Sequence, residues 1–150
     1  MTQPFPLEIL KELSTLRNDQ AARALGYTNR RFQQERDKLV MLQNFRSDYE
    51  TRYEQAGQKG ESYDTLINFR NFLDRLDEAV RQQAAVLEQM QEQLRHNQAE
   101  VRKTYHQVQS MEVLADRHAD REQLKENRRE QKTTDEMVNQ NVQRRVMETD

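Results

Sequence analysis

Apolar residues recur at alternating steps of three and four along two long stretches of this chain. The second stretch is the clearer of the two, and the alternation holds over about seven heptads, which is the signature of a coiled coil. It predicts a helix from about 62 to 125 with these seam positions: Leu66, Phe69, Leu73, Leu76, Val80, Gln83, Leu87, Met90, Leu94, Asn97, Val101, Thr104, Val108, Met111, Ala115 and His118.

The first stretch has the same spacing with more polar interruptions, and it predicts a helix over about residues 7–54. Pro4 and Pro6 precede it, which suits the start of a helix because proline is tolerated in the first turn. The predicted seam positions are Leu7, Leu10, Ser14, Arg17, Ala21, Leu25, Thr28, Phe32, Glu35, Leu39, Leu42, Arg46, Tyr49 and Tyr53.

Residues 55–61 form the one strong break in the pattern. Gly57 is predicted to take the left-handed conformation just past a helix end, Gly60 permits a second reversal, and Ser62 fits an N-cap. The sequence therefore predicts an all-α single domain: a long two-helix antiparallel coiled-coil hairpin whose second helix is longer. The tail, residues 126–150, has weak periodicity and is predicted to be helical at first and frayed later.

Composition agrees with a thin seam and excludes several functions. Hydrophobic residues make up 34% of the chain and charged residues 33%. That apolar content is too low for a thick core but is enough for a coiled-coil seam, which needs about two apolar residues in every seven. The net charge is −2 and no segment of the sequence is strongly basic, so nucleic acid is not expected as a partner. Cysteine is absent, and no apolar run approaches the ~20 residues of a membrane span, so we expect a cytoplasmic protein without direct membrane insertion.

No group of residues in the sequence predicts catalysis. There is no glycine-rich phosphate loop and no paired-histidine zinc motif. Asp116, His118 and Asp120 are spaced as a metal site could be, but a charged exposed turn beside a seam histidine is the simpler interpretation. We therefore predict no enzyme activity, no metal and no cofactor.

Aromatic residues cluster around the predicted turn. Six of the ten Phe and Tyr residues lie there: Phe45, Tyr49, Tyr53, Tyr63, Phe69 and Phe72. Residues 39–42 are four consecutive apolar residues, which cannot all face one partner helix. Surplus apolar surface of this kind often binds another protein, but aromatic packing that pins the turn explains the cluster equally well. Both interpretations stay open at this point.

Several segments resemble the flagellar type III export protein FliJ family and its injectisome counterparts. The segments are residues 7–13, 21–26, 39–42 with Tyr49, 67–72 with Leu76 and Ala79, and 126–132 with Asp135 and Glu136. The last is polar and not periodic, so it is the most specific. The resemblance implies an antiparallel coiled coil similar to the central stalk of rotary ATPases.

The resemblance also implies partners: the hexameric flagellar export ATPase, the cytoplasmic part of the transmembrane export gate, and export chaperones. Such a protein couples ATP hydrolysis to export and is peripherally associated with the inner membrane. The gate-binding surface of the family maps onto Leu42, Phe45, Tyr49, Phe72, Leu76 and Ala79. Lys38 and Gln83 stand where relatives can carry Gln and His, and their roles are not carried over.

We further expect the end of the hairpin that holds both termini to enter the ATPase ring. The residues expected to contact the ATPase are Leu10, Leu13, Glu126, Arg128, Gln131 and Lys132. Two alternatives of other classes remain from the residues alone. One is a generic coiled-coil scaffold that homodimerises through one long helix, and the other is a prefoldin-like chaperone hairpin that grips unfolded clients near the turn.

Overall fold

The computed structural model describes residues 2–149, which form two long helices. Helix α1 spans Glu8–Gln58 and helix α2 spans Tyr63–Glu148, and the described residues contain no strand. The all-α antiparallel hairpin with a longer second helix is thereby confirmed. The helices begin and end within four residues of the positions expected around the turn, because caps and glycines fix those ends locally.

The chain divides into two compact units. The turn unit is Asp19–Arg102, and the terminal unit combines the residues up to Asn18 with those from Lys103 onward. A single coiled-coil domain was predicted, since the heptad spacing continues through both units and gives no sign of the division. Each unit is described separately below.

The turn between the helices is a Schellman motif. The Glu61 N–H donates to the Ala56 carbonyl at 3.1 Å, and the Gly60 N–H donates to the Gly57 carbonyl at 3.2 Å. Gly60 has a φ of 73°, the left-handed conformation that glycine adopts without steric cost. The prediction that Gly57 takes this conformation was wrong, because α1 continues through Gly57 to Gln58.

Ser62 caps the second helix, as predicted. Its Oγ accepts a hydrogen bond from the Thr65 N–H at 3.3 Å, and α2 begins at the next residue, Tyr63. Asp64 places a carboxylate in the first turn, where the helix dipole favours negative charge. The connection between the helices is therefore confined to residues 59–62.

Helix α2 runs past the predicted boundary near residue 125 and continues to Glu148. The boundary was wrong because the weakening periodicity marks the end of the seam and not of the helix. Glu126 is the last half-buried residue, and all residues from 127 to 149 are exposed. Glu, Arg, Gln and Lys make up about half of residues 127–149 and favour helix even where the helix packs against no partner. Residue 150, the last of the predicted tail, lies outside the described residues.

The seam prediction for α2 holds at every position, since all of those residues are buried or half-buried. The α1 register was wrong near its start. Leu7, Leu10 and Arg17 are exposed, while Lys11 and Asn18 occupy the half-buried positions. The buried residues among residues 2–149 are mostly polar: Ser14, Thr28, Thr104 and Glu122, with Ala56 as the apolar one. Polar layers in a seam cost stability but specify register and orientation.

Candidate protein-binding surfaces

Aromatic rings join the two helices near the turn. The Tyr49 ring lies 5.0 Å from that of Phe69 and 4.5 Å from that of Phe72, and Tyr53 lies 6.3 Å from Phe69, all in tilted arrangements. Tilted ring pairs at these centroid distances stabilise packing beyond the area they bury. Packing therefore accounts for part of the aromatic cluster that the sequence revealed.

The residues expected to bind the export gate all lie in the turn unit. Leu42, Tyr49, Leu76 and Ala79 are half-buried. Phe45 and Phe72 are 56% and 43% exposed, so both rings present apolar surface to solvent. The ring contact brings Tyr49 and Phe72 together. Phe72 thus both packs on the hairpin and remains available to a partner.

A cluster of ion pairs centred on Arg46 lies beside the residues expected to bind the gate, next to Phe45 on α1. The Arg46 guanidinium donates to Asp77 across the helices and to Glu50 one turn further along α1 at 3.1 Å. The hydrogen bond to Asp77 and its charge raise the pKa of Arg46, with a smaller effect from Glu50. All three side chains are more than a third exposed, so solvent screens the pair and its main effect is on register.

A polar layer further from the turn brings Lys38 and Gln83 to the same carboxylate. The Gln83 amide donates to the Glu35 carboxylate at 2.6 Å and to the Glu35 carbonyl at 2.8 Å, and Lys38 Nζ lies 3.2 Å from the same carboxylate. These contacts, that of Gln83 first, lower the pKa of Glu35. Lys38 and Gln83 are therefore linked through Glu35, a relation that heptad spacing alone could not indicate.

In the terminal unit, residues 2–7 form a short strap across α2. The Gln3 N–H donates to Glu122 Oε2 at 3.2 Å, and the Gln3 carbonyl lies 3.0 Å from His118 Nε2. The Phe5 and His118 rings stand 5.6 Å apart. Glu122 is only 8% exposed, and the Gln3 N–H, followed by Lys125 and His118, lowers its pKa. The strap was missed in the sequence because Pro4 and Pro6 predict only a helix start.

The residues expected to contact the ATPase all lie in the terminal unit. Leu10 and Leu13 are exposed on α1, alongside the exposed Ile9 and Leu16. The other four residues lie on α2, where Glu126 is half-buried and Arg128, Gln131 and Lys132 are exposed. The exposed side chains of both helices are accessible to a partner.

Neither a metal site nor a membrane span is found among residues 2–149. No group of three His, Asp or Glu side chains in that range could hold a metal ion, and His118 contacts the strap instead. Neither helix, within the same residues, has a stretch apolar enough to cross a membrane.

The hairpin has polar layers in its seam and leaves aromatic and apolar residues exposed, and these features define an antiparallel coiled-coil protein. A family model described as flagellar FliJ protein matches residues 3–146. The chain belongs to the FliJ family, and it is a component of flagellar protein export.

Two relatives match over almost their whole length. The flagellar FliJ protein of Salmonella typhi is 30% identical over 145 residues, covering 97% of this chain and 99% of the relative. That of Escherichia coli (strain K12) is 27% identical over the same length, with the same coverage of both chains. The resemblance that the polar and heptad motifs indicated is thereby confirmed.

Proposed function

We propose that this chain is a stalk-like component of the flagellar export apparatus that binds the hexameric export ATPase and the cytoplasmic part of the export gate. It promotes assembly of the ATPase, couples hydrolysis to export and exchanges export chaperones. It acts in the cytoplasm and is held at the inner membrane by these partners. The proposal rests on family membership over residues 3–146 together with the antiparallel hairpin.

The division into two units supports separate roles for the two sets of predicted contact residues. The gate set, with the exposed rings of Phe45 and Phe72, lies wholly in the turn unit. The ATPase set lies wholly in the terminal unit. In this proposal the turn unit binds the gate and the terminal unit binds the ATPase.

The ATPase role is tested by mixing the purified chain with its cognate export ATPase and measuring hexamer formation and ATP hydrolysis. We expect both to rise. A chain truncated after Lys125 lacks the exposed part of α2 that carries Arg128, Gln131 and Lys132, and it should stimulate hydrolysis less. Normal stimulation by the truncated chain would contradict the assignment of the ATPase to the terminal unit.

The gate role is tested with Phe72→Ala. Because Phe72 is half-exposed but contacts Tyr49, binding to the cytoplasmic part of the gate and the melting temperature are measured together. Lost binding with a nearly unchanged melting temperature supports a binding surface. A large fall in melting temperature with binding retained would show that the ring serves packing alone. Tyr63→Ala is a matched control, since Tyr63 is an exposed aromatic outside the gate set.

A further inference from the structure

Helix α1 carries a second apolar surface, and all but one of its residues lie outside the sets that the proposed function uses. Asp37, Val40, Met41, Asn44, Phe45 and Asp48 line one open groove of about 340 Å³ in the turn unit. The spacing of these residues places them on the side of α1 away from the seam positions Leu39, Leu42 and Arg46. Phe45 is also a member of the gate set, but the other five residues do not belong to it.

The apolar part of this outer groove is exposed in the turn unit. Val40 is 47% and Met41 51% exposed. The four apolar residues 39–42 are thus divided: Leu39 and Leu42 are half-buried toward the seam, and the two between them face solvent. Methionine beside a half-exposed aromatic ring is a common composition of surfaces that bind helices.

The charges of the groove specify the partner. Its two charged residues are both aspartates, and neither has an ion-pair partner among residues 2–149. Other carboxylates of α1 are paired, Glu35 with Lys38 and Glu50 with Arg46. Arg52, four residues after Asp48, lines the neighbouring groove at the turn instead.

The spacing of the two aspartates adds a geometric requirement. Asp37 and Asp48 are 11 residues apart, three helical turns, so they share one face and lie about 16 Å apart along the axis. Val40 and Met41 lie between them. A partner helix with apolar residues in its middle and a basic residue near each end would satisfy both carboxylates at once.

We propose that the outer groove of α1, between Asp37 and Asp48, is a docking site for a basic amphipathic helix of another protein. The apolar stripe of that helix covers Val40, Met41 and Phe45, and its flanking Lys or Arg side chains pair with the two aspartates. The site is separate from the seam, so a partner can bind it without opening the hairpin.

The test uses the full chain and a fluorescent helical peptide of about 18 residues, with a leucine stripe flanked by lysines. Binding is measured by fluorescence anisotropy at low and high salt. Met41→Gln and the double variant Asp37→Asn/Asp48→Asn should each weaken binding about tenfold or more, because they remove the central apolar contact and both charges. The aspartate variant should also lose most of the salt dependence.

Val113→Gln is the matched control. Val113 lies exposed in an open groove of the terminal unit whose other residues include Arg117 and no carboxylate. This variant should bind the lysine peptide as the unchanged chain does, and circular dichroism should show equal helicity for all variants. A peptide with glutamate in place of lysine should not bind.

Three outcomes would overturn the proposal. The first is equal binding by the unchanged chain and the Met41 and aspartate variants, and the second is equal binding of the glutamate peptide. The third is a chain that sediments as a dimer and becomes monomeric on Met41→Gln, since the groove would then be an interface between two copies. Loss of gate or ATPase binding in the earlier experiments leaves this measurement unaffected, so the two proposals fail separately.

Discussion

The turn unit and the terminal unit are built from the same pair of helices but are held together differently. Near the turn, rings of Tyr49, Phe69 and Phe72 pack across the seam, and the Arg46–Asp77 pair fixes the register. In the terminal unit the helices are joined by hydrogen bonds such as that from the Thr104 hydroxyl to Asn18 at 3.0 Å. Both units thus contain polar contacts with small individual net effects, and the turn unit adds a cluster of three tyrosine and phenylalanine rings to them.

The largest expected effect comes from removing a central ring of the turn unit. Phe69 is half-buried between Tyr49 and Tyr53, so Phe69→Ala should lower the free energy of unfolding by about 2 kcal/mol. Urea denaturation followed by circular dichroism measures the change. Val142→Ala in the exposed tail of α2 is the control and should change stability by less than about 0.5 kcal/mol. If both variants lowered the free energy of unfolding equally, ring packing would not distinguish the stability of the turn unit from that of the terminal unit.

Alanine substitutions at the two glycines near the turn should have opposite effects on stability. Gly60→Ala forces a side chain into the left-handed conformation and should cost about 1 kcal/mol. Gly57 lies in the last turn of α1, and a β-carbon added to it would meet open space, so Gly57→Ala should stabilise the chain by about 0.5 kcal/mol. Thermal melting of both variants decides the point, and destabilisation by both would contradict the Schellman assignment.

The strap should make the terminal unit sensitive to acid. Because Glu122 has a lowered pKa in the folded chain, its contribution to stability is present above the ordinary glutamate pKa and is lost as pH falls through the lowered value. The protection of the Gln3 amide, taken as its hydrogen-exchange rate relative to the intrinsic rate at each pH, should therefore fall over that pH range. In Glu122→Gln the protection should already be lower at neutral pH and should not change over that range, because the amide side chain does not titrate.

The smallest stability effect is expected from deleting residues 127–150. The described part of this segment is exposed and contributes little burial, so the urea midpoint should stay nearly unchanged. Helical content should fall, since the deleted residues are helical up to Glu148. A large loss of cooperativity would show that the tail supports the terminal unit.

The sequence predicted the fold well where apolar spacing determines it and poorly where polar groups do. Every seam position predicted for α2 is buried or half-buried, because packing demands an inward side chain every three or four residues. At the start of α1 the sequence favoured Leu10 and Arg17, but Lys11 and Asn18 take the inner positions. Asn18 accepts a hydrogen bond from Thr104, far along the chain, which periodicity does not indicate.

The candidate binding residues follow the same division. The exposed surplus near residues 39–42 was anticipated, since four consecutive apolar residues cannot face one way. The pairing of Lys38 and Gln83 through Glu35 and the contact of Gln3 with Glu122 were not. Hydrogen bonds between residues so distant in sequence become visible only once the fold brings them together.

The brevity of the connection between α1 and α2 has a kinetic consequence. Only residues 59–62 separate the helices, so closing the turn costs little chain entropy, and each helix meets its partner at a high effective concentration. Contacts near the turn are local in sequence and form rapidly. The two helices should therefore pair first next to Gly60 and then progressively further from it, faster than either can pair with a second molecule. Misassembly between copies should be rare even in concentrated solution.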